Sequence, residues 1–281
     1  MYFQTGKFIL ILFFLFGCSC GQKNSEKDKM EVTIGPKTAS YLLAIESGIQ
    51  GEFQLAKEQL ETTLKQNPSH ISAKDKLRVI LDVLENKISK ETAIGIFKGI
   101  KYSLSQNTQE ALNEFSKAIE NQPEYDELYR LRGRAYVDLR DYSKALQNFN
   151  LALNLNPGNT TAILNRANTY MYIGKLDSSL LDLNRAIDLL PGEASAFLNR
   201  GSLYAKINRY DKAIQDFNKA IELDSGFAIA YFNKGLVCEL AGKETEALKS
   251  FKKFVSIAKS EDKKAIDYSK ARIQKIESRS R

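Results

Sequence analysis

The sequence predicts an all-α fold, a solenoid of stacked helical hairpins closed by a C-terminal capping helix. Three observations predict it. First, Ala111, Ala145, Ser179, Ala213 and Ala247 follow one another at intervals of 34 residues, and Gly99, Gly133, Ala167, Gly201 and Gly235 keep the same step. A fixed period of this kind means a run of like modules, each burying its apolar face against the next. Second, apolar and small residues recur at helical spacing in two runs per period, such as Phe197, Leu198, Gly201, Tyr204 and Ala205, then Ala213, Ile214, Phe217, Ala220 and Ile221. Third, the punctuation repeats too. Asn208, Arg209 and Tyr210 interrupt the pattern briefly, Asp211 can cap the second helix, and Pro123, Pro157 and Pro191 end successive units. So short a loop permits only antiparallel packing.

In chain order, the first element is a leader. Met1–Gly17 holds Lys7 followed by an apolar core, Phe8–Phe16. That core is far short of the roughly 20 residues a spanning helix needs, and it suits a signal peptide. Leu15-Phe16-Gly17-Cys18 then resembles the bacterial lipobox. The resemblance implies that residues 1–17 are removed and that Cys18 carries lipid. It also implies export and anchoring in the bacterial cell envelope, with Ser19 favouring the outer membrane by analogy. Residues 18–36 are polar and charged and read as a flexible tether.

Residues 37–70 read as a divergent hairpin, with Ala44, Gly51, Phe53, Ala56, Leu60 and Pro68 in phase. The 21 residues of 71–91 are too few for another hairpin, and Ala73–Glu85 is expected as an extra helix. Five units follow over 92–259: 92–125, 126–159, 160–193, 194–227 and 228–259. Tyr102, Tyr136, Tyr170 and Tyr204 recur in phase, with Cys238 in the fifth place and Phe254 where the other units have a small residue. Small residues let helix backbones approach closely while Tyr204 and Phe217 fill the flanks. These motifs resemble the tetratricopeptide repeat (TPR) family, most strongly over 92–227. The resemblance implies a right-handed superhelix whose first helices line a concave groove, and a partner that is another protein or a peptide. Last, 260–281 reads as a basic capping helix and tail. Ile266, Ser269, Ile273 and Ile276 form one stripe, with Lys263, Lys264, Lys270, Arg272 and Lys275 around the rest. An array end needs such a solubilising helix; contact with an anionic membrane surface is the alternative.

Little in the composition supports catalysis. His70 is the sole histidine and falls in a loop, so metal binding and imidazole acid–base chemistry lack material. The glycines occur singly, without a phosphate-binding loop, and no serine sits in a nucleophile elbow. No enzyme activity, cofactor, metal or small-molecule substrate is expected. The formal charge of +7 is spread among acidic residues, which reads as a solvated surface and not a nucleic-acid interface. Besides Cys18, Cys20 lies in the tether and Cys238 at a repeat position, so no disulfide framework is expected.

Two ladders bear on structure and function. Lys98, Arg132, Arg166, Arg200 and Lys234 stand 16 residues before Glu114, Asn148, Asp182, Asp216 and Ser250. Three of these pairs are opposite charges, and they read as ion pairs within one hairpin, worth about 0–1 kcal/mol each. Asn165, Asn199 and Asn233 occupy the sixth place of three consecutive units. The family resemblance puts that place on the groove, where an amide can both donate to and accept from a peptide backbone. The competing reading is that these asparagines bond their own neighbourhood. Arg130, Arg134, Asn168, Met171, Tyr172, Leu198 and Ser202 are further groove candidates. Arg130 and Arg134, one turn apart, are placed to grip a carboxylate. Against the carboxylate clamp of chaperone-binding TPR proteins, Arg130 and Asn165 match, but Arg134 stands where asparagine belongs, and Ser195 and Asn199 stand where basic residues belong. That argues against a chaperone-tail receptor. The expectation is a lipid-anchored envelope scaffold holding a peptide segment or partner surface in its groove. A permanent structural subunit of an envelope assembly is the alternative, and an enzyme is the remote third.

Overall fold

The computed structural model describes residues 36–66, 71–259 and 262–279. The expected leader, the lipid-bearing Cys18, nearly all of the tether and His70 lie outside the described residues. Within them the regular structure is helical, with no strand. The chain divides into two compact units at Ala162/Ile163. The front unit holds α1 (Pro36–Gln50), α2 (Phe53–Gln66), α3 (Ile71–Leu84), α4 (Lys90–Leu104), α5 (Thr108–Asn121), α6 (Asp126–Asp138) and α7 (Tyr142–Leu155). Helix α8 (Thr160–Tyr172) carries the chain into the rear unit. There follow α9 (Leu176–Leu189), α10 (Ala194–Lys206), α11 (Tyr210–Leu223), α12 (Ala228–Leu240), α13 (Glu244–Ile257) and α14 (Lys263–Arg279).

The glycine and phenylalanine ladders are two halves of one contact. A Cβ on Gly133 would come within 2.7 Å of the Phe149 ring, and one on Gly201 or Gly235 within 2.8 or 2.7 Å of Phe217 or Phe251. These rings are buried, and each presses against the glycine of the first helix in its own hairpin. The unit 160–193 makes the complementary exchange: Ala167 replaces the glycine, Leu183 replaces the ring, and both are wholly buried. In the front unit Gly48 of α1 receives Phe97 of α4 in the same manner, 2.6 Å from a built Cβ. That contact joins the divergent first hairpin to the regular units across the extra helix.

The basic ladder ties helices together as the charges suggested, with one exception. The Arg166 guanidinium donates to both carboxylate oxygens of Asp182 at 2.8 and 2.7 Å, and Arg200 does the same to Asp216 at 2.9 Å. Arg200 also donates to Asn184 at 2.9 Å, so it reaches the second helix of the preceding hairpin too. Arg132 repeats the pattern with Asn148 at 2.8 Å and Ser116 at 3.4 Å. Glu114 instead pairs with Lys117, one turn along its own helix.

A further ladder is visible only in the backbone. Gln106, Arg140, Gly174, Asn208 and Gly242 all have positive φ, from 58 to 78°, at the turn between the two helices of a unit. Each ends its helix with the same two bonds, for example Asn208 N–H to Ala205 O at 3.1 Å and Arg209 N–H to Tyr204 O at 2.8 Å. This is the left-handed C-terminal cap that satisfies otherwise orphaned carbonyls and reverses the chain within a few residues.

Helix α14 extends the repeat by half a unit. Ser269 stands 34 residues after Gly235 and is wholly buried, and Ala265 and Ile276 beside it are buried too. Ile266 and Ile273 pack against the same rear cluster, while Lys263, Lys264, Lys270 and Lys275 are exposed. Helix α14 thus takes the place of a first helix, with its far side charged and exposed.

Candidate functional site

The candidate surface is the face of the first helices carrying the fifth, sixth, ninth, twelfth and thirteenth places of each unit. In the front unit this face is filled by the chain itself. Helix α3 buries Ala73, Val79, Ile80 and Val83 in the front core and turns its charged residues toward α6. Arg78 donates to Asp126 at 2.6 and 3.3 Å. The same carboxylate accepts from Asn156 at 3.0 Å and from Asn159 at 2.6 Å. The Tyr125 hydroxyl donates to Asp82 at 2.7 Å, and burial with that carboxylate pushes the phenol far above its usual pKa.

Arg130 sits inside this network. It is 5% exposed, donates to Glu127 from Nε at 2.7 Å, and meets Asp75 of α3 at 3.2 Å. Burial works against its charge, but Glu127 and Asp75 outweigh it and hold the guanidinium above the ordinary arginine value. Arg130 therefore does grip carboxylates, and they are the chain's own. Arg134, one turn on, is exposed and paired with Asp138 at 3.4 Å. The two arginines read together in the sequence are thus split between interior and surface. Lys76, also buried, has its amine pulled below the usual range, by burial first and by Arg130 second.

In the rear unit the asparagine ladder runs from surface to interior. Asn165 is half-buried, Asn199 is 4% exposed and Asn233 is wholly buried. Helix α14 meets α12 through Tyr268 beside Phe232 and Arg272 on Glu239. Neither amide atom of Asn233 has a hydrogen-bond partner, and Asn168 Oδ1 is likewise buried and unpartnered. Leu198 and Met171 are core residues, and Ser202 donates to its own helix at Leu198 O, 2.9 Å away. Lys206 reaches back from α10 to donate to Met171 O at 3.0 Å, and burial lowers its pKa.

The open candidates on this face in the rear unit are on α8. Asn165 and Asn168 are half-buried and Tyr172 is 37% exposed. Their spacing of three and four residues puts them on one side of the helix. Such a strip presents two amides and one amphipathic ring, a set suited to a peptide backbone and one apolar side chain. Among the described residues no group of His, Cys, Asp and Glu stands close enough to hold a metal ion.

Sequence reasoning missed two features here. One is the docking of α3 on α6, carried by contacts such as Asp75–Arg130 that lie outside the period. The other is the acidic pair Glu239 and Glu244, which engages α14.

Comparison with known proteins fits this architecture. The family model described as Tetratricopeptide repeat matches residues 126–159, 194–227 and 228–261. Among solved structures, MamA is 28% identical, covering 59% of this chain and 96% of that one, with a TM-score of 0.50. A thermophilic TPR protein of Thermus thermophilus is 20% identical, covering 65% of this chain and 99% of that one, with a TM-score of 0.58. A tetratricopeptide repeat protein of Parabacteroides merdae is 21% identical and covers 85% of this chain and 99% of that one, with a TM-score of 0.54. No curated protein matches the chain.

Proposed function

Given that the chain belongs to the tetratricopeptide repeat family and is a protein–protein interaction scaffold, we propose that it is a lipid-anchored envelope protein that holds a segment of a partner protein against α8. The observation that carries the choice of surface is Asn168. Its Oδ1 is buried without a hydrogen bond, beside the half-buried Asn165 and the exposed Tyr172. An unsatisfied amide oxygen costs free energy, and rotation of this half-buried side chain toward an incoming backbone N–H would recover it. The lipobox-like Leu15–Cys18 supports the anchor, and the polar run of 18–36 would give the array reach from the membrane.

A second reading has its own support. Leu181 on α9 is 72% exposed, and Leu189 and Leu190 close to half. Large apolar side chains on a second helix suit a permanent subunit held through its outer surface. Crosslinking in intact cells separates the two. The α8 reading predicts that Asn165→Ala with Asn168→Ala abolishes a partner crosslink that Leu181→Glu leaves intact. The reverse pattern would establish the subunit reading. For the anchor, a fatty-acid probe should label the parent and leave Cys18→Ala unlabelled; equal labelling of both, or of neither, refutes lipidation at Cys18.

A further inference from the structure

Two helices stand outside the hairpins, α3 and α14, and each covers a first-helix face. They are docked with different quality. Under α3 the Asp126 carboxylate is satisfied by Arg78, Asn156 and Asn159, and Asp82 accepts from Tyr125. Under α14 an apolar stripe of Ala265, Ile266, Ile273 and Ile276 packs on the rear cluster, and charge and one ring complete the attachment. Arg272 donates to Glu239 at 2.9 Å, Arg279 to Glu244 at 2.9 Å, and Lys252 pairs with Glu277 at 2.7 Å. The Tyr268 ring lies 6.0 Å from that of Phe232 and 6.3 Å from that of Phe251. The Ser269 and Tyr268 hydroxyls of this helix, and both amide atoms of Asn233 on α12, are buried without a hydrogen bond.

The unpartnered groups matter because burial removes their water and returns nothing. They lie on α14 and on α12, the helix that α14 meets through Tyr268 beside Phe232 and Arg272 on Glu239. A different helix placing an amide or hydroxyl opposite Asn233 would keep the ionic contacts and add the missing bonds. The ionic contacts themselves are generic. Glu239 and Glu244 need two cationic side chains two turns apart, here Arg272 and Arg279, and Phe232 needs one aromatic ring a turn before the first of them.

We infer that the face of α12 bearing Phe232, Asn233 and Glu239, together with Glu244, is a docking site for a basic amphipathic helix of a partner protein, with α14 as the exchangeable cis occupant. The partner helix carries two arginines or lysines seven residues apart, an aromatic residue four before the first, and a hydrogen-bonding side chain facing Asn233. This inference is independent of the α8 reading, since it uses other residues and a helical ligand instead of an extended one.

The test uses the full chain and a fluorescein-labelled peptide of residues 261–281 as the probe. Arg272→Glu with Arg279→Glu frees the cis helix from both glutamates. That variant is expected to bind the peptide at least about tenfold more tightly than the parent. Adding Glu239→Lys and Glu244→Lys is expected to abolish the gain, as is raising salt from about 50 mM to about 0.5 M. Equal binding by variant and parent, or no binding by a variant that keeps its helical circular dichroism, overturns the inference. Hydrogen exchange on the unaltered chain gives a second reading that no variant can spoil. Amides of 263–279 are expected to exchange at least about tenfold faster than those of 244–257, and equal protection of the two helices would show that α14 does not lift. A parent chain that dimerises at micromolar concentration and loses peptide binding on doing so would assign the site to a second copy and overturn the foreign-partner assignment.

Discussion

Substituting Gly201 by alanine tests the packing rule on which every regular hairpin rests. A Cβ there would lie 2.8 and 2.9 Å from two ring carbons of Phe217 and 3.2 Å from the Ala213 carbonyl oxygen. The ring is wholly buried and the third contact is backbone, so neither yields easily. Overpacking of this kind costs about 1–3 kcal/mol, while alanine for glycine inside a helix returns up to about 1 kcal/mol. Gly201→Ala should therefore destabilise by about 0.5–2 kcal/mol. Phe217→Leu alone leaves space against the glycine and should cost about 1–2 kcal/mol. The double variant reproduces the combination that the chain already uses at Ala167 and Leu183. It should be more stable than the sum of the singles by about 1 kcal/mol or more. Urea unfolding of the four proteins measures this cycle, with unchanged m values as the check on the denatured state. Additivity within about 0.3 kcal/mol would refute the claim that glycine and ring form one contact.

Three further predictions follow from other parts of the chain. Arg140 holds φ at 61° in a left-handed cap, so Arg140→Gly should raise stability by about 0.5–1 kcal/mol in urea titration, whereas a loss would mean the side chain itself matters there. Asp126→Ala leaves the 40% exposed Arg78 side chain and the Asn159 amide without their shared acceptor, and should cost about 2–4 kcal/mol by thermal or urea unfolding. At alkaline pH, burial pushes the Cys238 thiol up to about 11 and the Tyr41 phenol up to about 12. Because the unfolded chain ionises first at both groups, stability should be full below pH 9, fall between 9 and 11 as Cys238 is forced to stay protonated, and fall further toward 12. Cys238→Ala should flatten the first of these losses, and the parent's peptide bearing Cys238 should resist alkylation in the folded state at pH 8.

The readable part of this molecule was the part written in side-chain type at fixed spacing. Gly201 with Phe217, and Arg200 with Asp216, recur because one chemistry serves one contact in each hairpin. The turn ladder of Gln106, Arg140, Gly174, Asn208 and Gly242 keeps the same period but not the same residue, since backbone conformation and not side-chain chemistry is repeated there. Burial along the asparagine ladder could not be read for a different reason. Asn165, Asn199 and Asn233 have equivalent places, yet their exposure falls along the ladder because it is set by the surrounding packing and not by the place in the repeat. The docking of α3 was hidden because Asp75 and Arg130 are far apart in sequence and belong to no repeat. Their contact emerges only when an inserted helix meets the face of α6.

The most direct test of the scaffold assignment is site-specific photocrosslinking from position 172 in intact cells, with and without Asn165→Ala and Asn168→Ala. The account predicts one dominant protein adduct from position 172 in the parent and its loss in the double variant at equal protein level. An adduct of undiminished yield in the double variant, or no adduct from 172 while position 181 gives one, would contradict it.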